Sequence, residues 1–423
     1  MVNHNIKLSD LIPAGCSTYS KGDNCFPSNA PKYLVKGDGA YVWDDKGNKF
    51  LDMGMGLRSV ILGHSYEEVN HAVFDAIMGG VNFTRPNLYE KQLAELMLDI
   101  FPWHDMVKFG KSGSDVTSAA VKLARAYTGR DQVMVARENP FISQHDWFIN
   151  TTTVNGGIPF DSNLWTYSYD PMDFYGYNLS DVAAIILDPA TVDITKEKLQ
   201  YIRDLCDKHG CVMILDEIIS GFRYGLTGVQ GMFGIFPDLS TFGKAMGNGF
   251  SISALCGKRE IMKLGDRDYG NVFLLSGTYN GETVGLAAAI STITKLYNNN
   301  GIFSRIDRIG KKLIKELLKK VEIYGLEEVM TPRGFSIDNH LIGSNPSITF
   351  SSPEVKTIFD QHMVECNILM PYIAPSYSHT DSDMENVLCA ADYSMKMLSQ
   401  AIKSSGDLVK KCFDGHIEKS VFR

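Results

Sequence analysis

Nowhere among the 423 residues does an apolar run approach the roughly 18 that a membrane-spanning helix requires. Even Val182–Leu187 ends at once in Asp188-Pro189. There is no excess of positive charge either: 41 basic against 49 acidic residues leave a net charge of −8. No global field therefore favours nucleic acid or an anionic membrane surface. The eight cysteines (Cys16, Cys25, Cys206, Cys211, Cys256, Cys366, Cys389, Cys412) include no CxxC pair and read as reduced thiols rather than a disulfide scaffold. The ten histidines form no HxxxH, HxH or Cys/His cluster, so no metal site is expected. Gly247-Asn248-Gly249 is not the GxGxxG turn of a dinucleotide site. Internal repeats, low-complexity tracts and Pro/Ser linkers are missing, which argues for one interlocked unit. The first residues lack the apolar core and cleavage site of a signal peptide, and a cytoplasmic location is expected. What remains, 44% hydrophobic and 21% charged residues, is an ordinary globular composition with material for a sizeable core.

Element types divide the chain. Residues 41–52 alternate apolar and polar around Lys46-Gly47, the pattern of a β-hairpin. Helical spacing recurs over Tyr66–Ile77, Leu88–Ile100 and Ser114–Tyr127, with Gly129 placed to stop the last. Short β-type runs follow at Val133–Val135, Val182–Leu187, Val212–Leu215 and Leu239–Phe242. Strands separated by helices, some of them continuously apolar, imply a mostly parallel, doubly wound α/β sheet covered on both faces. After a Lys-rich helix over Ser304–Tyr324 come strand candidates near Ser347–Phe350 and Ile368–Met370 and a helix near Met384–Lys403. The expected division is a large α/β domain over 66–303 and a smaller α+β domain built from 1–65 and 304–423.

The chemistry concentrates in an ordered set of pieces. The apolar run Val212–Leu215 ends in Asp216-Glu217, and Gly243-Lys244 follows in a Gly-rich turn. Ligands of open α/β sheets sit beyond the carboxyl ends of the strands. An aspartate and a lysine there suit pyridoxal 5′-phosphate: the amine links covalently to the cofactor and the carboxylate keeps its ring nitrogen protonated. Either half alone is common in α/β proteins. Lys111-Ser112-Gly113-Ser114-Asp115 precedes an Ala-rich helix, gathering backbone N–H groups and small hydroxyls where a phosphate is favoured, though it also fits a plain helix cap. Ser276-Gly277-Thr278-Tyr279-Asn280-Gly281 is a second small, hydroxylic turn before a helix.

These pieces resemble the class III pyridoxal-phosphate aminotransferases of fold type I, in their glutamate-1-semialdehyde aminomutase-like branch. The resemblance spans nearly the whole chain, through Gly37–Gly47, Leu62-Gly63-His64, Lys111–Asp115, Leu215–Arg223, Pro237–Gly247 and Ser378-His379-Thr380. It implies that Lys244 binds the cofactor covalently, that Asp216 partners its ring nitrogen, and that Ser112, Gly113 and Ser114 hold the phosphate. It also implies that Thr278 completes the phosphate site of a neighbouring subunit, hence a homodimer with shared active sites. L-Glutamate is the implied amino donor and an aldehyde or keto compound the acceptor. Arg58 and Arg85 are the candidate guanidinium partners for a donor carboxylate, and both also fit structural roles.

Three places depart from the family pattern. Phe141-Ile142-Ser143 stands where the family has Tyr-His-Gly, leaving Phe141 as the aromatic face for the cofactor ring. Asp188-Pro189 replaces Glu-Pro at a strand end. Ser17–Gly22 replaces a Ser-Pro-Val-Arg run, so the arginine that an aminomutase offers its substrate there is missing. Thr18–Gly22 and His145-Asp146-Trp147 resemble instead aminotransferases of surface-polysaccharide and sugar-acid pathways, such as the one making 8-amino-3,8-dideoxy-manno-octulosonate. Tyr19, Lys21, His145 and Trp147 are the corresponding candidate pocket residues for a polyol acceptor, with Trp147 equally suited to the core and Lys21 to the surface. An aminomutase and a cofactor-binding protein without turnover stay open as alternatives.

Overall fold

The computed structural model describes residues 6–159, 166–169, 178–192, 194–337, 340–404, 408–411 and 417–419. The expected hairpin forms from β2 (Tyr41–Asp44) and β3 (Lys49–Asp52), with β1 (Leu34–Asp38) paired antiparallel to β2. Its turn carries Gly47 at φ +85°, a conformation glycine adopts without strain. The Asp44 carboxylate accepts from the N–H groups of Lys46 and Asn48.

The central sheet contains β4 (Met106–Gly110), β5 (Gln132–Ala136), β6 (Thr166–Tyr169), β7 (Val182–Leu187), β8 (Val212–Asp216), β9 (Leu239–Phe242) and β10 (Ser253–Gly257), in the order β4-β10-β9-β8-β7-β5-β6. All neighbours are parallel except β10, which runs antiparallel to both β4 and β9. Alternation along the strands separates two cores. Val133, Val135, Ala184, Ile186, Val212 and Ile214 meet Val116, Ala120, Leu123 and Ala124 of the helix Gly113–Thr128. Met134, Ala136, Ile185, Leu187, Met213 and Leu215 meet Leu199, Ile202 and Cys206 of the helix Lys196–His209. Burial on both faces is what a continuous apolar strand requires.

The remaining strands are β11 (Met330–Ile337), β12 (His340–Phe350) and β13 (Ile368–Leu369). β11 and β12 form an antiparallel pair, and β13 extends the N-terminal sheet by pairing parallel with β3. Ala40, Leu51 and Met53 share a buried core with Leu313, Leu317, Phe359, Met384, Val387 and Met395. The two ends of the chain are thereby packed together. The helix Gly301–Tyr324 bridges this core and the sheet: Ile302 and Ile306 pack against sheet-side residues, whereas Ile309 to Val321 face the other core.

Local signals explain the element limits. Capping boxes close the starts of the helices Leu88–Ile100, Gly113–Thr128 and Asp381–Lys403, at Asn87/Glu90, Ser112/Asp115 and Thr380/Asp383. Gly129 ends the second of these in a left-handed turn at φ +66°. The seven described cysteines are all free thiols, and Cys412 lies outside the described residues. Among the described residues no helix is long and apolar enough to cross a membrane, and no group of three metal-ligating side chains forms.

One contact tests this packing directly. A Cβ added to Gly310 would lie 1.6 Å from the Gly343 carbonyl oxygen on β12, a backbone atom that cannot swing aside. Gly310→Ala is expected to cost about 1–3 kcal/mol through overpacking, read as a lower urea midpoint. An unchanged midpoint would contradict this helix-to-strand approach.

Candidate active site

The residues singled out by the sequence gather at one edge of the central sheet because the topology sends strand after strand there. β7 delivers Asp188, β8 ends in Asp216, and β9 is followed by Gly243 and Lys244. From β4 the chain passes through Lys111 into the Ser112 cap of the helix Gly113–Thr128. Since β10 is antiparallel, its start lies at the same edge, where Ser253 Oγ donates to the Ser112 carbonyl at 2.9 Å and Ser251 Oγ to that of Lys111 at 2.8 Å. Ile218 joins the pieces: a Cβ on Gly113 would lie 2.6 Å from Ile218 Cδ1, and one on Gly243 would meet Ile218 Cγ2 at 3.7 Å. A side chain at Gly113 would have to displace the end of Ile218, and the helix start is drawn close to the end of β8.

Burial governs the charges. Asp216 accepts from Thr241 Oγ1 at 2.8 Å and from the Ile218 N–H at 3.1 Å, both at Oδ1. Removal from water, with Asp188 nearby, pushes its pKa up to about 7. Asp188 is likewise raised by burial, to about 6, against the pull of Lys244 and Arg58. It is held by the Ala190 N–H at 2.8 Å, Thr191 Oγ1 at 3.2 Å, and Asn139, which bonds both its N–H and its carbonyl. Burial lowers the Lys244 ammonium below its ordinary value, while Asp188 and Asp216 oppose that shift. Lys244 also sits at φ +45°, a strained setting for a side-chain-bearing residue.

Above this cluster lies a turn in which Met55, Gly56, Leu57 and Arg58 all have positive φ, from 42° to 70°. Arg58 Nε donates to Asn345 Oδ1 at 2.6 Å, and its guanidinium lies 5.0 Å from the Tyr372 ring centroid, a cation–π arrangement. Asn345 Nδ2 in turn donates to Tyr224 Oη at 3.1 Å and to the Ala190 carbonyl at 3.2 Å. Asn248, in the turn after Lys244, fastens the next stretch by accepting from the Ile61 and Leu62 N–H groups, each at 2.9 Å. The N- and C-terminal segments therefore reach the same charges as the sheet edge.

The other candidates lie around this helix start or at the surface. Ser114 Oγ accepts from the Gln144 N–H at 3.0 Å, so the Phe141–Gln144 loop touches the helix start. Phe141 is 38% exposed and packs edge-on against Phe148. His145 and Trp147 both spend ring nitrogens on Ser118, at 2.6 and 2.7 Å. Thr278 is exposed and bonds through its carbonyl to Asn82. Arg85, Tyr19 and Lys21 are exposed, and no described interaction joins them to Lys244. Asp188 was noted only as a departure at a strand end, and Asn345, Tyr224 and Tyr372 were not singled out. Asp188 had a signal, since it ends an apolar run as Asp216 does, whereas Asn345 and Tyr372 arrive from strands and loops distant in sequence.

Comparison with known proteins places the fold in a family. The family model for class III aminotransferases matches residues 27–148 and 177–335. A 3-aminobutyryl-CoA aminotransferase of Cloacimonas acidaminovorans is 32% identical, over 89% of this chain and 92% of its own. A glutamate-1-semialdehyde 2,1-aminomutase of Acetivibrio thermocellus is 30% identical over 90% and 94%. Among solved structures, a transaminase with pyridoxal phosphate bound superposes with a TM-score of 0.83 at 23% identity, covering 93% of this chain and 96% of that one. An omega-transaminase from Sphaerobacter thermophilus gives 0.81 at 23%, covering 92% and 96%; both likenesses concern the fold. The chain belongs to the class III aminotransferases and is a pyridoxal-phosphate-dependent transaminase of fold type I. Its residues fit that cofactor. A lysine with lowered pKa stands beside a buried carboxylate whose ionised form a cationic ring nitrogen would favour, and a helix start kept free of a side chain at Gly113 suits a phosphate.

Glu217, next to Asp216, belongs to a separate buried network. It accepts from Ser220 Oγ and from the Gln230 N–H at 2.9 Å. Burial raises its pKa from the ordinary 4.5 to about 7. The folded state therefore holds a proton between those values that the unfolded chain has released. The stability this contributes is complete below the unfolded pKa and is lost as pH rises through about 7. Glu217→Gln removes the dependence, so its melting temperature relative to wild type should improve steadily from pH 5 to pH 8. A constant difference would show that Glu217 is ionised throughout.

Proposed function

We propose that the enzyme moves an amino group from L-glutamate to the aldehyde carbon of a hydroxylated acid. The carrying observation is that Lys244 and Arg58 share one electrostatic cluster with the buried carboxylates of Asp216 and Asp188 at the carboxyl edge of the sheet. Lys244 would hold pyridoxal phosphate covalently, Asp216 would face its ring nitrogen, and Ser112, Gly113 and Ser114 would take its phosphate. When bound, the cofactor supplies an electron sink for the carbanion formed at the donor Cα. Lys244 Nζ, whose hold on a proton desolvation weakens, would remove the proton from that carbon. Asp216, when ionised, would favour a proton on the ring nitrogen. Arg58 is suited to a substrate carboxylate, because among the described residues Nε is its bonded nitrogen and the two terminal amino groups are left for a bidentate partner.

The acceptor is inferred from sequence: the resemblance of Thr18–Gly22 and His145–Trp147 to sugar-acid aminotransferases supports an 8-oxo-3,8-dideoxy-octulosonate or a similar aldehyde. An aminomutase reading draws support from the relatives that carry that name, and it would need no external donor. Assembly as a homodimer is supported by Phe74, Ile77 and Met78, exposed at i, i+3 and i+4 on the helix Glu67–Gly79, with exposed Val81 just past its end. Thr278 is bonded to Asn82 next to this stripe, where it could serve a second copy.

Adding L-glutamate to purified holoenzyme should bleach the visible band of the bound cofactor and release one 2-oxoglutarate per site, and a sugar-acid aldehyde should restore the band. In Lys244→Ala the half-reaction should slow by at least about a thousandfold. A band that persists with every amino acid tested would favour binding without turnover, and turnover of an amino-aldehyde without a donor would favour the aminomutase.

A further inference from the structure

We infer that Arg223 is a positioning residue for substrate recognition: it clamps backbone carbonyls of the left-handed turn that presents Arg58, and so sets affinity for the substrate carboxylate. The inference rests on the assignment of Arg58 above. Arg223 is 1% exposed, yet no carboxylate pairs with it among the described residues. Its Nη2 donates to the Arg58 carbonyl at 2.9 Å and the Val60 carbonyl at 3.4 Å. Its Nη1 donates to the carbonyls of Ser344 at 3.3 Å and Pro375 at 3.2 Å. One guanidinium thus ties together the turn, the strand carrying Asn345, and the loop following Tyr372. Asn345 and Tyr372 are the side chains that hold the Arg58 guanidinium.

The turn needs such a clamp. A left-handed conformation is costly for a residue that bears a side chain, and Met55, Leu57 and Arg58 all adopt it. Asp52 secures the entrance, accepting from the Gly54 N–H at 2.9 Å and the Met55 N–H at 3.1 Å. Arg223 secures the exit. A buried cation without a counter-ion is retained at a desolvation cost, and the carbonyls it collects all belong to segments that shape the surroundings of Arg58.

The test is a double-mutant cycle on the holoenzyme, reading cofactor occupancy, kcat and KM for L-glutamate. Arg58→Gln is expected to raise KM about tenfold or more, the loss of a charge-assisted contact. Arg223→Lys, which keeps the charge but loses the fork, should raise KM about as much with cofactor occupancy intact and kcat within about twofold. The double variant should be no worse than Arg58→Gln alone. If Arg223→Lys fails to fold, Gly56→Ala strains the turn itself: its φ is +58° and its Cβ would sit 2.8 Å from Ser59 Oγ. It should show the same rise in KM and the same non-additivity. Additive effects, or a loss confined to kcat or to cofactor occupancy, would overturn the positioning role while leaving Arg58 assigned. An unchanged KM in Arg58→Gln would overturn the assignment of Arg58 and this inference with it.

Discussion

Two buried carboxylates meet the half-buried amine of Lys244 and guanidinium of Arg58 at the edge of a parallel sheet, and much of the surrounding structure serves to keep them there. A lone buried charge is costly, whereas opposed charges in a low-dielectric site sustain one another. Lys244 is loosened from its proton by burial and steadied by Asp188 and Asp216, while Asp188 is steadied in turn by Lys244 and Arg58. The outcome is an amine poised to exchange protons and a carboxylate poised to face a cation. Both are properties that the chemistry of this cofactor demands.

The sheet supplies only half of the enclosure. The other half comes from the two ends of the chain, whose shared core around Met53, Leu313 and Phe359 brings the turn at 55–58 and the β12 residue Asn345 over the charges. Asn248 and Arg223 fasten that layer through backbone groups rather than side-chain pairs. Strain in the turn lies beside the charged cluster, and functional sites are a usual place for strain in enzymes.

Much of this was legible in the residues. Val182–Leu187 and Val212–Asp216 announced interior parallel strands because burial on both faces demands uninterrupted apolar residues. β4 and β10 were missed because Met-Val-Lys-Phe-Gly and Ser-Ala-Leu-Cys-Gly show neither a continuous apolar run nor strong β-branched content. The helix Lys196–His209 was masked by its many charges. At the site, Lys244 and Asp216 were readable from local context, and Arg58 from its charge within a Gly-rich stretch. Asn345, Tyr372 and the clamping role of Arg223 were not readable, because they arise from contacts between positions more than a hundred residues apart. His145 and Trp147 carried a family signal, but their ring nitrogens are engaged by Ser118, an interaction no local pattern announces.

The proposed function stands on the amine of Lys244 as the group that receives the cofactor. Borohydride reduction of the holoenzyme would make that linkage permanent, and peptide mass mapping would locate it. The account predicts a single stoichiometric pyridoxyl adduct on Lys244, lost if L-glutamate is added before the reductant. An adduct on any other lysine, or none in protein saturated with pyridoxal phosphate, would contradict it.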